Sequence, residues 1–237
     1  MHQTLEAGRV HLSVDGMILT IRDGRLTLLL ARRTAPPFEG SWALPGRLVA
    51  LEESAETAVH CLLDSMLPGT AAYFEQLYTF TALSRDPRGR VASVAYLILL
   101  PWERLEKSLQ APGVALRCFT VVHHPDGLLL QGESGELLSP GDLAFDHGQI
   151  VRTGVTRLQG KIDYTDIGFH LLADPEAFSL SELQCIFEAV LNTTLDASNF
   201  RRGILSRYET TGRIVQTDQA RKLSRGRPAA LYRLTDR

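Results

Sequence analysis

Arginines at four places in the chain have the chemistry to hold phosphate. Arg32 and Arg33 close an apolar run, and Arg88 and Arg90 lie in the turn-rich stretch Ser84-Arg85-Asp86-Pro87-Arg88-Gly89-Arg90. Arg201 and Arg202 follow Asn199, and Arg225 and Arg227 flank Gly226. A guanidinium presents a planar fork of N–H donors that can grip a phosphoryl group bidentately. A second chemistry is suggested between Gly46 and Gly69, where Glu52, Glu53, Glu56 and Asp64 accompany a helical run. Residues three and four apart on a helix share a face, and a hard cation such as Mg²⁺ takes oxygen ligands from such a face.

The order of segments around that run is informative. Two apolar runs joined at Asp23-Gly24 come first, then Arg32-Arg33, then Trp42-Ala43-Leu44-Pro45-Gly46, then the helix. This order resembles a Nudix domain, whose signature is Gly-x5-Glu-x7-Arg-Glu-apolar-x-Glu-Glu-x-Gly. With Glu53 as the signature glutamate, the glycine position holds Arg47, the arginine position Cys61 and the last glycine Pro68; the three metal-binding positions hold Leu62, Ser65 and Met66. One residue back, Gly46 and Glu52 fit, and the carboxylate positions become Cys61, Asp64 and Ser65. Neither frame restores the set. Leucine and methionine offer a hard cation no oxygen, and without the ion little polarises a phosphoryl group or generates a hydroxide. The resemblance implies a Nudix-like domain with no catalytic residues, no metal and no hydrolase activity.

Composition sets the frame. At 237 residues the chain suits two domains, and 44% hydrophobic with 22% charged residues excludes a disordered chain. No apolar run approaches the roughly 20 residues that cross a bilayer, so no membrane partner is expected. The N-terminus lacks a signal-peptide pattern, and Cys61, Cys118 and Cys185 are too few and scattered for a disulfide framework. A reducing, cytoplasmic setting is the expectation. Net charge is −2, yet residues 176–237 hold 10 Lys and Arg against 7 Asp and Glu. A mildly basic tail on an acidic body points to a polyanionic partner.

Apolar runs at Val10–Ile21 and Leu26–Leu30 about Asp23-Gly24 predict a hairpin. Thr34–Gly40 reads as a loop, and Ser54–Leu67 as a helix stopped at Pro68-Gly69. Strands are expected at Leu77–Leu83, Val91–Leu100 and Leu116–His123, a mixture that suits the α/β/α sandwich a Nudix domain implies. Pro140-Gly141-Asp142 is expected to open a helix through about Gly160, with Leu143, Phe145, Ile150, Val151 and Val155 inward. The division expected is a sensing domain over 1–140, a linker helix over 141–165 and a nucleic-acid-binding domain over 166–237.

In the tail, Ser179-Leu180-Ser181-Glu182 is a capping box before a helix with Leu183, Ile186, Phe187, Val190 and Leu191 on one face. After Asn192-Thr193-Thr194, Asp196 can cap a second helix running to about Tyr208, with Phe200, Ile204 and Leu205 inward and arginines outward. Ile214–Gln216 and Leu231–Leu234 then bracket Arg221–Pro228, the layout of a basic wing. Helix, turn, basic helix and wing together read as a winged helix-turn-helix.

The two halves resemble the NrtR family, Nudix-related transcriptional regulators of bacterial NAD metabolism. The matching segments are Trp42–Gly46, Ala144-Phe145-Asp146-His147, Phe178–Gln184, Asn199-Phe200-Arg201-Arg202, and Arg225–Ala229 with Leu231-Tyr232-Arg233. The resemblance implies a homodimer, double-stranded operator DNA upstream of NAD-synthesis genes, and ADP-ribose or a related nucleotide as effector, with no cofactor. It implies a repressor that the effector releases from DNA. On that reading Asn199, Arg201, Arg202, Arg225 and Arg227 contact DNA. Arg32, Arg33, Arg88 and Arg90 pair with the effector's pyrophosphate, and Phe38 and Trp42 stack on its adenine. Glu53 is a candidate helix N-terminal cap, and Asp146 and His147 are candidates to couple the linker to the sensing domain, with a satisfied structural histidine the favoured alternative. Arg47 departs from the family's Leu-Pro-Gly-Gly turn, and Gly203 falls inside the recognition helix. A Nudix pyrophosphohydrolase with a nucleic-acid module, or a regulator sensing a sugar, are the alternatives.

Overall fold

The computed structural model describes residues 8–109, 115–221 and 228–235. Its framework is a large mixed sheet. β1 (His11–Arg22) and β2 (Arg25–Arg32) form the expected hairpin, and Asp23 and Gly24 both hold positive φ, 51° and 68°, as a type I′ turn requires. Two short strands, β3 (Trp42–Ala43) and β4 (Gly46–Leu48), pair with β2 and β1. Next come α1 (Ala55–Met66), β5 (Tyr73–Phe80), β6 (Val91–Leu99) and α2 (Trp102–Leu109). β7 (Leu116–His124), β8 (Gly127–Gly132) and β9 (Leu137–Leu138) complete the path β5-β6-β1-β2-β7-β8-β9. β1 runs parallel to β6 and antiparallel to β2.

β1 is the central strand, buried without interruption from Ser13 to Thr20. Its alternation feeds two cores. Val14 and Ile18 pack with Ala58, Val59 and Leu63 of α1 and Leu105 of α2. Met17 and Leu19 face the opposite side, where α3 (His147–Ile162) buries Ile150, Val151, Val155, Leu158 and Ile162. This is the expected α/β/α sandwich. Its linker helix begins later than expected. A single 3-10 turn covers Pro140–Asp142, Leu143 is extended, and the helix starts at His147. Leu143 is still buried, but Phe145 sits in a left-handed kink (φ 58°) outside the helix. That kink lets the 3-10 turn press on the helix start, where a Cβ on Gly148 would stand 1.8 Å from the Pro140 carbonyl oxygen.

The C-terminal part comprises β10 (Phe178–Ser179), α4 (Leu180–Leu191), α5 (Ala197–Ile204), β11 (Ile214–Arg221) and β12 (Ala229–Leu234), with sheet order β10-β12-β11. Both reciprocal bonds of the Ser179/Glu182 capping box are present, and Asn192 ends α4 in a left-handed conformation. α5 is shorter than expected: after Ile204 the chain widens into a π-helical turn over Leu205–Glu209, which still buries Tyr208. The hydrophobic cluster around Met17 and α3 continues without a gap through Leu183, Phe187 and Val190 to Ile204 and Tyr232. Among the described residues no helix is long and apolar enough to cross a membrane, and Cys61, Cys118 and Cys185 are free thiols.

Two glycines of α3 give opposite expectations. Gly148→Ala should lower stability by about 1–3 kcal/mol, because its methyl group meets rigid backbone. Gly160, which a Cβ would leave with nothing within 4 Å, should gain up to about 1 kcal/mol on substitution by alanine. Urea midpoints of the two variants test the pair.

Candidate anion-binding cleft and nucleic-acid interface

A cleft of about 330 Å³ opens where β4, β1 and β6 meet the start of α3. Ser13 and Asp15 form its floor, Gly46 and Leu48 of β4 one wall, and Arg33, Arg85, Arg88, Phe145 and His147 its other sides. A Cβ on Gly46 would lie 2.2 Å from Asp15 Oδ1, so β4 approaches the floor only because this residue is glycine. The hydroxyl of Ser13 is buried there without a hydrogen-bond partner among the described residues.

The floor is charged. Arg85 is buried and donates from Nε and Nη2 to the two oxygens of Asp146 at 3.0 and 2.8 Å, and from Nη2 to Asp15 Oδ2 at 3.2 Å. Ser93 also donates to Asp15 Oδ2, and His147 Nε2 lies 3.5 Å from Oδ1. His147 Nδ1 accepts the Leu44 N–H at 2.8 Å, which places a neutral ring's proton on Nε2, toward Asp15. Burial alone would raise the pKa of Asp15, but His147, Ser93 and Arg85 outweigh it and bring the carboxyl to about 2. Burial likewise opposes the charge on Arg85, and its bonds to Asp146 and Asp15 outweigh that, raising its pKa.

The rim is cationic. Arg33 donates to the carbonyls of Pro37 and Ala35, and its guanidinium lies 4.7 Å from the Phe145 ring. Arg88 pairs with Asp86 and lies 5.6 Å from the same ring. Arg33 therefore has neutral oxygens as hydrogen-bond partners, while burial and the neighbouring Arg88 lower its pKa against the opposing pull of Asp86. Two guanidiniums held near one aromatic ring form a site that an anion would relieve.

Other residues expected here stand elsewhere. Arg32 is the last residue of β2 and Arg33 lies just beyond it, and only Arg33 lines the cleft. Arg32 donates to Gly40 O at 3.1 Å and lies near Trp42, which packs edge-on to Phe119. Neither Arg32 nor Trp42 lines the cleft. Arg90 donates to the carbonyls of Thr81 and Ala82, closing its own loop. Phe38 touches the cleft only through Phe145, at 4.9 Å between ring centres. Ser54, not Glu53, caps α1, because Glu53 holds Ala50 N–H and Arg47 instead. Leu62 is buried while Cys61, Asp64 and Ser65 are exposed, and Gly46 is sterically required. The Gly46 frame of the signature therefore fits the structure better than the Glu53 frame. Among the described residues no group of three or more His, Cys, Asp or Glu is arranged to hold a metal ion.

Sequence reasoning missed Asp15, Arg85 and Ser93. Asp15 stands inside an apolar run and was passed over there, and Arg85 was one arginine among several in a basic loop.

On the other part, Asp196 Oδ1 accepts the Asn199 N–H at 2.8 Å, capping α5. Asn199, Arg201 and Arg202 are all exposed. Arg202 Nη2 donates to Asn199 Oδ1 at 2.8 Å, and Arg201 Nη2 to the Tyr232 hydroxyl at 3.3 Å, tying α5 to the hairpin base. Phe200 stacks edge-on with Phe187 of α4, and Ile204 is buried, which orients the arginine-bearing face outward. Arg225 and Arg227 lie outside the described residues.

A Nudix-type sandwich joined through one helix to a winged helix defines the class of Nudix-related winged-helix proteins. Residues 168–234 match the model of the NrtR DNA-binding winged helix domain. The chain is 32% identical over 225 residues, 94% of its length and 81% of the relative's, to the ADPR responsive transcriptional repressor NtrR of Acinetobacter baylyi. The structure is similar to that of Shewanella oneidensis NrtR complexed with a 27mer DNA, with TM-score 0.74, 29% identity and coverage of 94% of this chain and 93% of that one. It is also similar to a MutT/nudix family protein from Enterococcus faecalis, with TM-score 0.75, 26% identity and coverage of 98% and 90%. The chain belongs to the NrtR family.

The depressed pKa of Asp15 has a measurable consequence. In the 2-to-4 range the unfolded state binds the proton that the folded state refuses, so this carboxylate's contribution is present above pH 4 and is lost as pH falls toward 2. The stability difference between wild type and Asp15→Asn should shrink by on the order of 2 kcal/mol across that window. A gap that stays constant in urea titrations from pH 5 to pH 2 contradicts this account of the floor.

Proposed function

We propose that this protein is a bacterial transcriptional repressor of NAD-synthesis genes that binds operator DNA as a homodimer and is released by ADP-ribose or a related nucleotide. The observation that carries the reading is the cleft itself. Arg33 and Arg88 lie over one aromatic ring, Arg33 with backbone carbonyls as its hydrogen-bond acceptors and Asp86 as the nearby carboxylate, and the cleft's wall includes the first residue of the helix leading to the winged helix. A pyrophosphate meets the two guanidiniums, the Phe145 face is available for a base or ribose, and the unpartnered Ser13 hydroxyl for a ligand hydroxyl. The relative in Acinetobacter baylyi is described as ADPR responsive, and the Shewanella oneidensis protein was crystallised with DNA. Both support carrying these partners to this chain.

The sensing part comprises residues 1–140, the connection 141–165 and the DNA-reading part 166–237. Asn199, Arg201 and Arg202 face the DNA, with Arg225 and Arg227 on the wing; Arg33 and Arg88 hold the effector. The protein does not turn its effector over. In the Gly46 frame Asp64 is the sole carboxylate at the three metal positions, too few oxygens to hold Mg²⁺ against a pyrophosphate.

Saturating ADP-ribose should raise the melting temperature and weaken binding to the protein's own upstream DNA at least about tenfold, a coupling of roughly 1.4 kcal/mol. Arg33→Ala should lose both effects while keeping DNA affinity. Operator binding indifferent to ADP-ribose, or Mg²⁺-dependent ADP-ribose hydrolysis well above background, overturns the reading. Arg202→Ala should weaken operator binding by about 1–3 kcal/mol if it reads a base, or reduce the salt slope by about one if it touches phosphate. A titration at several salt concentrations separates these outcomes.

A further inference from the structure

Asp146 occupies the N-cap position of α3, yet its carboxylate makes no capping bond to that helix. Both oxygens are held by Arg85 instead. Its backbone (φ −98°, ψ 19°) lies outside the extended region that capping residues adopt, and Phe145 before it holds a left-handed φ of 58°. That conformation is unfavourable for a residue with a bulky side chain, so something must hold it in place. Aspartate is among the best N-caps when free to turn onto first-turn amides. Asp146 thus has two competing partners, and reaching the second takes a large rotation about ψ, from 19° to the extended values of 154° and 155° at which Ser139 and Ser179 cap their helices.

Arg85 faces the cleft, and its Nη1 makes no hydrogen bond among the described residues. An anion that passes the Arg33 and Arg88 rim has that nitrogen to bind and competes with the carboxylates for the rest of the guanidinium. We infer that Asp146 is a two-position switch, bound to Arg85 when the cleft is empty and capping α3 when an anionic ligand takes Arg85. The step is an exchange of ion-pair partners, with no bond made or broken covalently. The inference rests on the reading of the cleft as the effector site and names how that site is regulated.

The far end of α3 is wired to the DNA-reading part. Gln159 Nε2 donates to the Val190 carbonyl, near the end of α4, at 2.9 Å, and the Tyr208 hydroxyl donates to the Thr165 carbonyl just beyond α3 at 2.7 Å. Rewinding the first turn of α3 therefore displaces contacts that orient α4 and the segment after α5. Both ligands bias one two-state element, which is the physical requirement for coupling between sites.

Asp146→Asn tests the switch, because asparagine caps a helix as well as aspartate does but brings no charge to hold Arg85. Linkage then predicts opposite shifts. The Kd for ADP-ribose should fall at least about threefold, and the Kd for operator DNA without ligand should rise by a similar factor. Weakening of both affinities, or change in neither, means that Asp146 is merely structural and overturns the inference. Wild type in the same experiment isolates the underlying reading: if ADP-ribose neither binds it nor releases DNA, the effector assignment fails whatever the variant does, and the switch falls with it. Should the variant not fold, hydrogen exchange of wild type decides the question. Amides of residues 147–151 should exchange more slowly with saturating ADP-ribose, and unchanged exchange there rules the switch out.

Discussion

A guanidinium removed from water needs its charge paired, and that requirement at Arg85 organises the structure. Its charge is held by Asp15 from the central strand and by Asp146 from the threshold of α3. Desolvating three charges is costly, and removing one partner leaves the others stranded, so such a cluster fixes geometry more than it adds stability. The loop carrying Arg85, the floor of the cleft and the start of the connecting helix cannot move independently while it holds. His147 adds a fourth connection, joining Asp15 to the backbone of Leu44 at the turn into β4.

The cluster lies at the end of a strand that is buried on both faces. β1 separates a core made with α1 and α2 from one made with α3 and α4. Polar residues at Ser13, Asp15 and Ser93 interrupt the apolar alternation where β1 and β6 pair in parallel. There the sandwich stops being core and becomes a site. Gly46 admits β4 to the same place, and no other residue would leave room for the Asp15 carboxylate.

What the sequence disclosed followed how local each signal was. The Asp23-Gly24 turn and the Ser179/Glu182 capping box depend on residues within a turn of one another, and both form as read, whereas the cap of α1 falls to Ser54 and not to Glu53. The α/β/α sandwich and winged helix were legible from the order of such signals. The connecting helix was placed too early because Pro140-Gly141-Asp142 carries the chemistry of a helix start, yet it closes only one 3-10 turn before the kink at Phe145. The site was the least legible part. Asp15, Arg85 and Asp146 lie far apart in sequence, on a strand, a loop and a helix threshold that only the tertiary fold brings together. The end of β2 at Arg32 then separated Arg32 from Arg33, which sequence reasoning had treated as a pair.

The apolar cluster that runs from Met17 through α3 to Leu183, Phe187 and Tyr232 bears on how the chain came to be assembled. A winged helix tethered by a flexible linker could be cut away or exchanged between proteins with little harm. Here excision after α3 would bare the faces that Leu183, Phe187 and Val190 bury, leaving two sticky halves rather than two soluble modules. The DNA-reading part therefore shares an apolar core with the sensing part instead of merely hanging from it.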